Sequence, residues 1–470
     1  MILPRRRFLE GAVLGAALAA AGPSASGAAA PPEVLSDLAR RTFDFFWKTT
    51  NPENGLAPDR WPSRSPCSIA AIGFALTAYP IGVENGWIDR DAARARVLTT
   101  LKFLNGLPQG PAAEGVAGLN GFFYHFLDMQ TGLRAGRCEL STVDTTLMLG
   151  GVLFCAGWFD RDNPDEAEIR RLAQALYERV DWAWAVRRKP LISMGWTPEH
   201  GWIRDDWTGY CEAMLVYLLA LGSPTHPVGD DAWAGWCATY NRDWRTLWGQ
   251  EHLTFPPLFG HQYSHVWVDF RGVRDAFMRS KGIDYFENSR RAVLAQKAYA
   301  RANPGGWRGY GGEVWGLTAC DGPGGVSAPV GARRREIHGY WARGADATGS
   351  LDDGTIAPTA AAASLPFAPE IVIPAIEALK SRYPAVWGDY GFFDAFNPSL
   401  DHAARFERGG VEGAAGWVDS DYLGIDQGPI LAMFENWRTG LVWRVMRRDQ
   451  HLRRGLERAG FTGGWLSAAV

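Results

Sequence analysis

The stretch Trp207-Thr208-Gly209-Tyr210-Cys211-Glu212-Ala213-Met214-Leu215-Val216-Tyr217-Leu218-Leu219-Ala220-Leu221 decides how the rest of the chain is read. From Ala213 onward it is apolar on every face, and Glu212 is its only charge. A helix apolar all round must be surrounded by protein, and this one is too short to span a bilayer. A lone carboxylate at the mouth of such a helix is costly unless it is paired, protonated or in use. Glu212 is therefore expected at the floor of a cleft, as a catalytic acid.

Outward from this stretch, two kinds of helical segment alternate. Glu33–Thr49, Arg90–Leu104, Asp165–Val186, Ala232–Trp248, Tyr285–Ala302 and Glu370–Tyr383 carry charge on one face, the pattern of helices with one side in water. Ser68–Ile81, Ser141–Trp158, Tyr210–Leu221, His261–Phe270, Thr355–Leu365 and Gln427–Phe434 are nearly free of charge. The alternation is a loose repeat of helix pairs. It predicts an all-α fold, an (α/α)6 toroid of six inner and six outer helices. The Gly-rich run from Asp321 to Gly354 lies inside this alternation, so it reads as a functional loop or lid in one domain covering 31–470.

Residues 1–30 read as an export leader instead of structure. Pro4-Arg5-Arg6-Arg7-Phe8-Leu9-Glu10 precedes a soft apolar run and a small-residue stretch, and Arg-Arg-x-Phe-Leu resembles a twin-arginine signal. The mature chain is expected in the periplasm or outside the cell, with no membrane anchor. The net charge is −3, and losing the leader lowers it by two, which argues against a nucleic-acid partner. Twenty-two Trp residues fit either surfaces that stack on sugar rings or wide inter-helix gaps. The six cysteines contain no CxxC pair, and free buried thiols are expected for most of them.

Polar residues collect where loops enter the uncharged helices. Glu139 and Asp144 flank Ser141-Thr142, and His261-Gln262-Tyr263-Ser264-His265 opens the fourth helix. Asp352-Asp353 precede the fifth, and Asp421-Tyr422 and Asp426-Gln427 the sixth. In an up-down toroid these positions share one end. Capping explains Ser141, Asp353 and Asp426 as well as function does, but Glu is a poor N-cap. Paired carboxylates with many aromatics point to glycoside cleavage, in which one carboxylic acid protonates the leaving oxygen and a second carboxylate activates water or attacks. Glu212, backed by apolar residues that raise its pKa, suits the acid. Asp144, Glu313, Asp394, Asp421 and Asp426 are all candidates for the partner. No metal or cofactor is expected: His261 and His265 at i,i+4 have no Glu between them, so HExxH zinc chemistry fails. Gly309-Tyr310-Gly311-Gly312 has no Lys for a phosphate loop, and no GxSxG elbow exists. Tyr263, His265 and Arg271 keep a lyase reading open.

Several long runs carry a family resemblance. Pro257 to His265, Lys281 to Arg291, Trp315-Gly316-Leu317-Thr318-Ala319-Cys320-Asp321-Gly322-Pro323, Asp353 to Ala361 and Asp421 to Pro429 resemble the glucoamylase-like domain. Similar domains occur in bacterial endo-β-1,2-glucanases of glycoside hydrolase family 144. The resemblance implies an (α/α)6 barrel, no metal, and inverting hydrolysis of β-1,2-glucan. It places the acid on Glu212 in the Tyr-x-Glu-Ala segment and, as first choice, the base on Asp394 in Tyr390-Gly391-Phe392-Phe393-Asp394. Substrate contacts are expected from Glu139, Asp144, His261, Gln262, Tyr263 and His265. Further contacts are expected from Arg271, Glu313, Trp315, Asp321, Asp421, Tyr422, Asp426 and Gln427. Cys211 stands where Asn is expected beside the acid. The alternative is a transglycosylase or a carbohydrate-binding protein of the same fold.

Overall fold

A computed structural model describes residues 30–330, 333–402 and 405–467. The chain is mostly helical, with short two- and three-stranded ribbons between the helices, so an all-helical fold class is too narrow. The uncharged segments become the helices Ile69–Glu84, Thr142–Trp158, Met214–Gly222, Phe259–Trp267, Pro358–Ala362 and Gly424–Arg438. Every residue of Met214–Gly222 is buried, at about 2 kcal/mol for each large aliphatic side chain withdrawn from water.

These helices touch in sequence. Ile69–Glu84 packs on Thr142–Trp158, which packs on Met214–Gly222. The amide of Leu215 then donates to Ser264 Oγ at 3.1 Å, and Gln262 Nε2 donates to the Ala360 carbonyl at 2.9 Å. Thr359 Oγ1 donates to the Asp426 carbonyl at 2.9 Å, and Gly424–Arg438 packs back on Ile69–Glu84. Glycine permits the tightest of these approaches. A Cβ on Gly151 would overlap the backbone of Gly73, and one on Gly73 would overlap the Leu147 carbonyl. In the middle, Trp267 stacks on Phe74 with centroids 5.2 Å apart and donates from Nε1 to Thr77 Oγ1 at 3.1 Å. It also covers Gly150, where a side chain would collide with its ring. Tyr263 lies above Phe74 with ring centroids 6.0 Å apart.

The charged segments pack outside this set. Glu33–Thr49 forms with the expected bounds. Asp165–Val186 is shorter than expected. The helix runs Pro164–Glu178, begun by Pro164 at its first turn and the Asn163 cap. Beyond it, Trp182 turns inward against Phe122. Ala232–Trp248 is broken. The helix ends at Trp236, and Trp244–Leu247 pairs with Gln250–Leu253 across Trp248 and Gly249, both at positive φ as a two-residue hairpin turn requires. Thr355–Leu365 shrinks to Pro358–Ala362, because Ile356 is extended and pairs with Phe396. Two helices near the C-terminal end, Leu441–Met446 and Gln450–Arg458, escaped the sequence reading. The run Asp321–Gly354 is largely hairpin: Val326–Val330 pairs with Arg333–Ile337, and Ala319–Cys320 with Trp341–Ala342.

All six cysteines are free thiols. No helix among the described residues is long and apolar enough to cross a membrane. The export-leader reading falls on residues 1–29, outside the described residues.

Candidate active site

The N-terminal ends of the uncharged helices are tied together by short ribbons. Ser68 pairs with Phe126, Ser141 with Gly195, and Trp61 with Tyr422. Glu212 sits two residues before Met214–Gly222, half-buried, and its backbone carbonyl accepts from Ser264 Oγ at 3.0 Å. One carboxylate oxygen, Oε2, is buried with no partner among the described residues. Burial, and next the charge of Asp144, push this carboxyl up to about 7. An orphan oxygen on a group that keeps its proton near neutrality is what a proton donor to an incoming ligand needs.

Asp144 stands in the first turn of Thr142–Trp158. Ser141 caps that helix through Oγ, accepting from the Asp144 amide at 3.2 Å, and its hydroxyl donates to Asp144 Oδ2. On the other side stands His125, whose Nδ1 donates to Glu139 Oε1 at 2.8 Å and whose Nε2 lies 3.7 Å from Asp144 Oδ1. Burial disfavours the imidazolium, yet Asp144 and Glu139 outweigh it and lift His125 to about 9. Sequence spacing hid His125, because it takes backbone pairing between the two segments, including the bond from its amide to the Glu139 carbonyl at 2.9 Å and the Tyr124–Leu140 bridge, to bring it beside Glu139.

A second acidic group lies near Tyr263. The Tyr263 phenol is within electrostatic reach of Asp426, Tyr340, Glu212 and Asp394. Asp394 is buried; its Oδ2 accepts from the Asp321 amide at 2.7 Å. Asp394 Oδ1 and Asp426 Oδ2 are both buried without a donor among the described residues, although the two side chains interact directly. Two acceptors placed together require a shared proton. Burial raises both carboxyls, Asp394 to about 7, and the hydrogen bond between them lowers Asp394 and raises Asp426, so Asp426 keeps the proton and Asp394 ionises first.

Asp321 and Asp421 complete this side with cations. Arg408 Nη1 lies 3.2 Å from Asp321 Oδ2 and 3.3 Å from Asp421 Oδ2, and Arg60 bonds Asp321 through Nη1. Oxygens of Asp321, Asp419 and Asp421 lie within 4.8 Å of one another, a spacing that could hold a metal. The two guanidiniums already supply positive charge there. The two large hydrophobic residues exposed among the described residues are Tyr340, 59% accessible, and Trp61, 42%. Both belong to this end: Trp61 follows Arg60, and Tyr340 is within electrostatic reach of Asp426 and Asp394. Exposed aromatic faces beside carboxylates suit sugar rings.

Other expected contact residues lie elsewhere. His261 and His265 are buried and turned to the neighbouring helix, where Ser289 Oγ lies 3.4 Å from His261 Nδ1 and 3.1 Å from His265 Nε2. Burial keeps both rings neutral, with His265 lowered to about 3. Gln262 and Gln427 spend their amides on the carbonyls of Ala360 and Phe392, both at 2.9 Å. Arg271 lies beyond the C-terminal end of Phe259–Trp267, gripping Asp269 at 2.8 Å, so the lyase trio is not assembled. Glu313 is a surface partner of Arg382. Trp315 is buried, and Tyr422 is wall, stacked on Phe393 with centroids 4.6 Å apart.

The Glycoamylase family model, a glucoamylase description, matches residues 204–450, more than half of the chain. The chain belongs to the Glycoamylase family. Within it, the chain is similar to the exo β-1,2-glucooligosaccharide sophorohydrolase (non-reducing end) of Parabacteroides distasonis, 27% identical over 462 residues. That alignment takes in 91% of this chain but only 57% of the relative's length. Among solved structures, the endo-β-1,2-glucanase of Chitinophaga pinensis in complex with sophorotriose and glucose superposes with a TM-score of 0.77 at 27% identity, over 92% of this chain and 98% of that one. The β-1,2-glucanase of Parabacteroides distasonis gives 0.77 at 26%, over 91% and 60%.

Proposed function

We propose that this Glycoamylase chain hydrolyses β-1,2-linked glucan with inversion, Glu212 acting as general acid and Asp394 as general base. One observation carries the reading: Glu212 Oε2 and Asp394 Oδ1 are both buried without a donor among the described residues, and both carboxyl groups lie within electrostatic reach of Tyr263. Burial lifts both Glu212 and Asp394 to about 7, and contact with Asp426 makes Asp394 the member of its pair that ionises first. Groups that exchange a proton near neutrality suit the acid and base of a glycosidase.

Glu212 gives its proton to the glycosidic oxygen as the C1–O bond breaks. A water attacks C1 from the opposite face, and Asp394 takes the proton that water loses. Glu139, Asp144, Tyr263, Asp321 and Asp421 supply hydrogen bonds to sugar hydroxyls, and Trp61 and Tyr340 supply stacking faces. The β-1,2 linkage is supported by the activities for which the relatives above are named. The helix contacts support a closed (α/α)6 ring of six inner helices in one domain spanning 31–470. Export under the residue 1–30 leader, to the periplasm or beyond, belongs to the same reading.

The test is to follow products from linear β-1,2-glucan by NMR at early times. The expected result is shorter glucans whose new reducing ends appear first as the α-anomer. Initial β-anomer would overturn inversion, and chains longer than the input would mean transfer in place of hydrolysis.

A further inference from the structure

In the run His261-Gln262-Tyr263-Ser264-His265 all five residues are buried, yet only Tyr263 has a place in the chemistry above. Ser264 and the two histidines converge instead on one short segment, Tyr210-Cys211-Glu212, which leads into Met214–Gly222.

Ser264 reaches that segment directly. No side chain caps Met214–Gly222 from its own segment, so the first amides of the helix need acceptors from elsewhere. Ser264 Oγ accepts from the Leu215 amide at 3.1 Å and donates to the Glu212 carbonyl at 3.0 Å. One hydroxyl, carried on Phe259–Trp267, ties the first turn of the next inner helix to the residue that bears the proton donor.

The histidines reach it through Ser289, on Tyr285–Ala302. Ser289 Oγ lies 3.2 Å from the Tyr210 hydroxyl, 3.4 Å from His261 Nδ1 and 3.1 Å from His265 Nε2. One assignment of hydrogens satisfies all three. His261 Nε2 lies 3.2 Å from the Phe255 carbonyl, which can only accept, so Nε2 carries the hydrogen and Nδ1 of this neutral ring accepts. Ser289 gives its one proton to His261 Nδ1. His265 Nε2 and the Tyr210 hydroxyl then donate to the two lone pairs of Ser289 Oγ. His265 Nδ1 is left without a hydrogen, at a buried position with no partner among the described residues. Tyr210 is also stacked on Tyr285, with ring centroids 5.8 Å apart.

We propose that Ser264 is a positioning residue for the proton donor: it sets the turn from which Glu212 reaches the glycosidic oxygen, while Ser289 and the two histidines hold Tyr210 behind it. The inference rests on Glu212 as the general acid and adds what holds that acid in place. A catalytic group displaced by about 1 Å loses about a hundredfold in rate while the sugars still bind.

Steady-state kinetics of Ser264→Ala on linear β-1,2-glucan over a range of pH, beside Ser364→Ala, tests this. Ser364 is a matched control. It is also buried, and it accepts from Gln262 Nε2, on the same helix as Ser264, at 2.9 Å. In Ser264→Ala, kcat is expected to fall about tenfold to a hundredfold with KM within about twofold of wild type. The alkaline limb of its pH–kcat profile should also move down from about 7 towards 4.5, because a loosened turn lets water onto the Glu212 carboxyl. Asp144, Cys211 and Tyr263, the titratable groups within electrostatic reach of Glu212, are the same in every variant. Ser364→Ala is expected to keep the wild-type kcat and limb. An unchanged kcat and limb in Ser264→Ala, or an equal loss in Ser364→Ala, overturns the proposal. Ser289→Ala should shift both quantities the same way by less, and it decides the matter if Ser264→Ala does not melt cooperatively: unmoved values there overturn the proposal. Turnover near the wild-type rate by Glu212→Gln would instead remove the acid assignment itself, whatever Ser264→Ala does.

Discussion

Glu212 keeps its proton to about pH 7 because burial strips water from the carboxylate and Asp144 repels a second negative charge. Two outcomes follow at this one residue. As the acid, it must be protonated, so kcat is expected to fall as pH rises through about 7, read from a pH–rate profile. The same shift lowers stability. The unfolded carboxyl ionises above its ordinary value of 4.5 while the folded one stays protonated, so the folded state binds more protons and stability falls as pH rises from 4.5 towards 7. Glu212→Gln is therefore expected to raise stability at pH 8 by about 1–3 kcal/mol, a gain that fades below pH 4.5, checked by denaturant unfolding at both pH values. Glu212 was legible in the sequence because it is the only charge on an apolar run. His125 and Tyr340 were not, since each owes its place to contacts between segments far apart in the chain.

At the scale of elements, the turn that carries Tyr340 is held by one buried cation. Arg343 pairs with Asp353 at 2.7 and 2.8 Å and donates to the carbonyls of Cys320 at 2.9 Å, Gly339 at 3.1 Å and His338 at 3.2 Å. Asp321, the residue after Cys320, gives its amide to Asp394, so the aromatic face and the proposed base share a scaffold. Arg343→Met is expected to cost about 3–5 kcal/mol by leaving Asp353 uncompensated, measured by thermal unfolding. Arg343→Met/Asp353→Leu should recover part of that loss. In the double variant KM should rise more than kcat falls, because the Tyr340 turn is no longer held. The sequence reading treated this segment as a functional loop or lid. The pairing of Val326–Val330 with Arg333–Ile337 shows a hairpin, whose second strand opens on four successive charged residues and so carries no apolar alternation to mark it. Ala232–Trp248 misled for a related reason. Its helical turns continue in short pieces to Asp243, but the Trp248-Gly249 turn overrides the spacing afterwards.

Across the whole molecule, the uncharged helices were legible because burial on every face leaves no room for charge. Their lengths were less so, since Pro358 and the extended Ile356 shorten the fifth. Close approach depends on glycines that composition alone does not single out. Gly151→Val is expected to destabilise by several kcal/mol, about the cost of overpacking a tight core, because Gly73 occupies the space its side chain would need. Unfolding of that variant against Gly106→Ala, where the glycine ends a helix and nothing lies within 4 Å, checks it. The most direct measurement is turnover of linear β-1,2-glucan by folded Glu212→Gln. We predict no detectable sugar release from a variant whose circular dichroism and melting curve stay cooperative and native. Turnover near the wild-type rate would contradict the assignment of the proton donor.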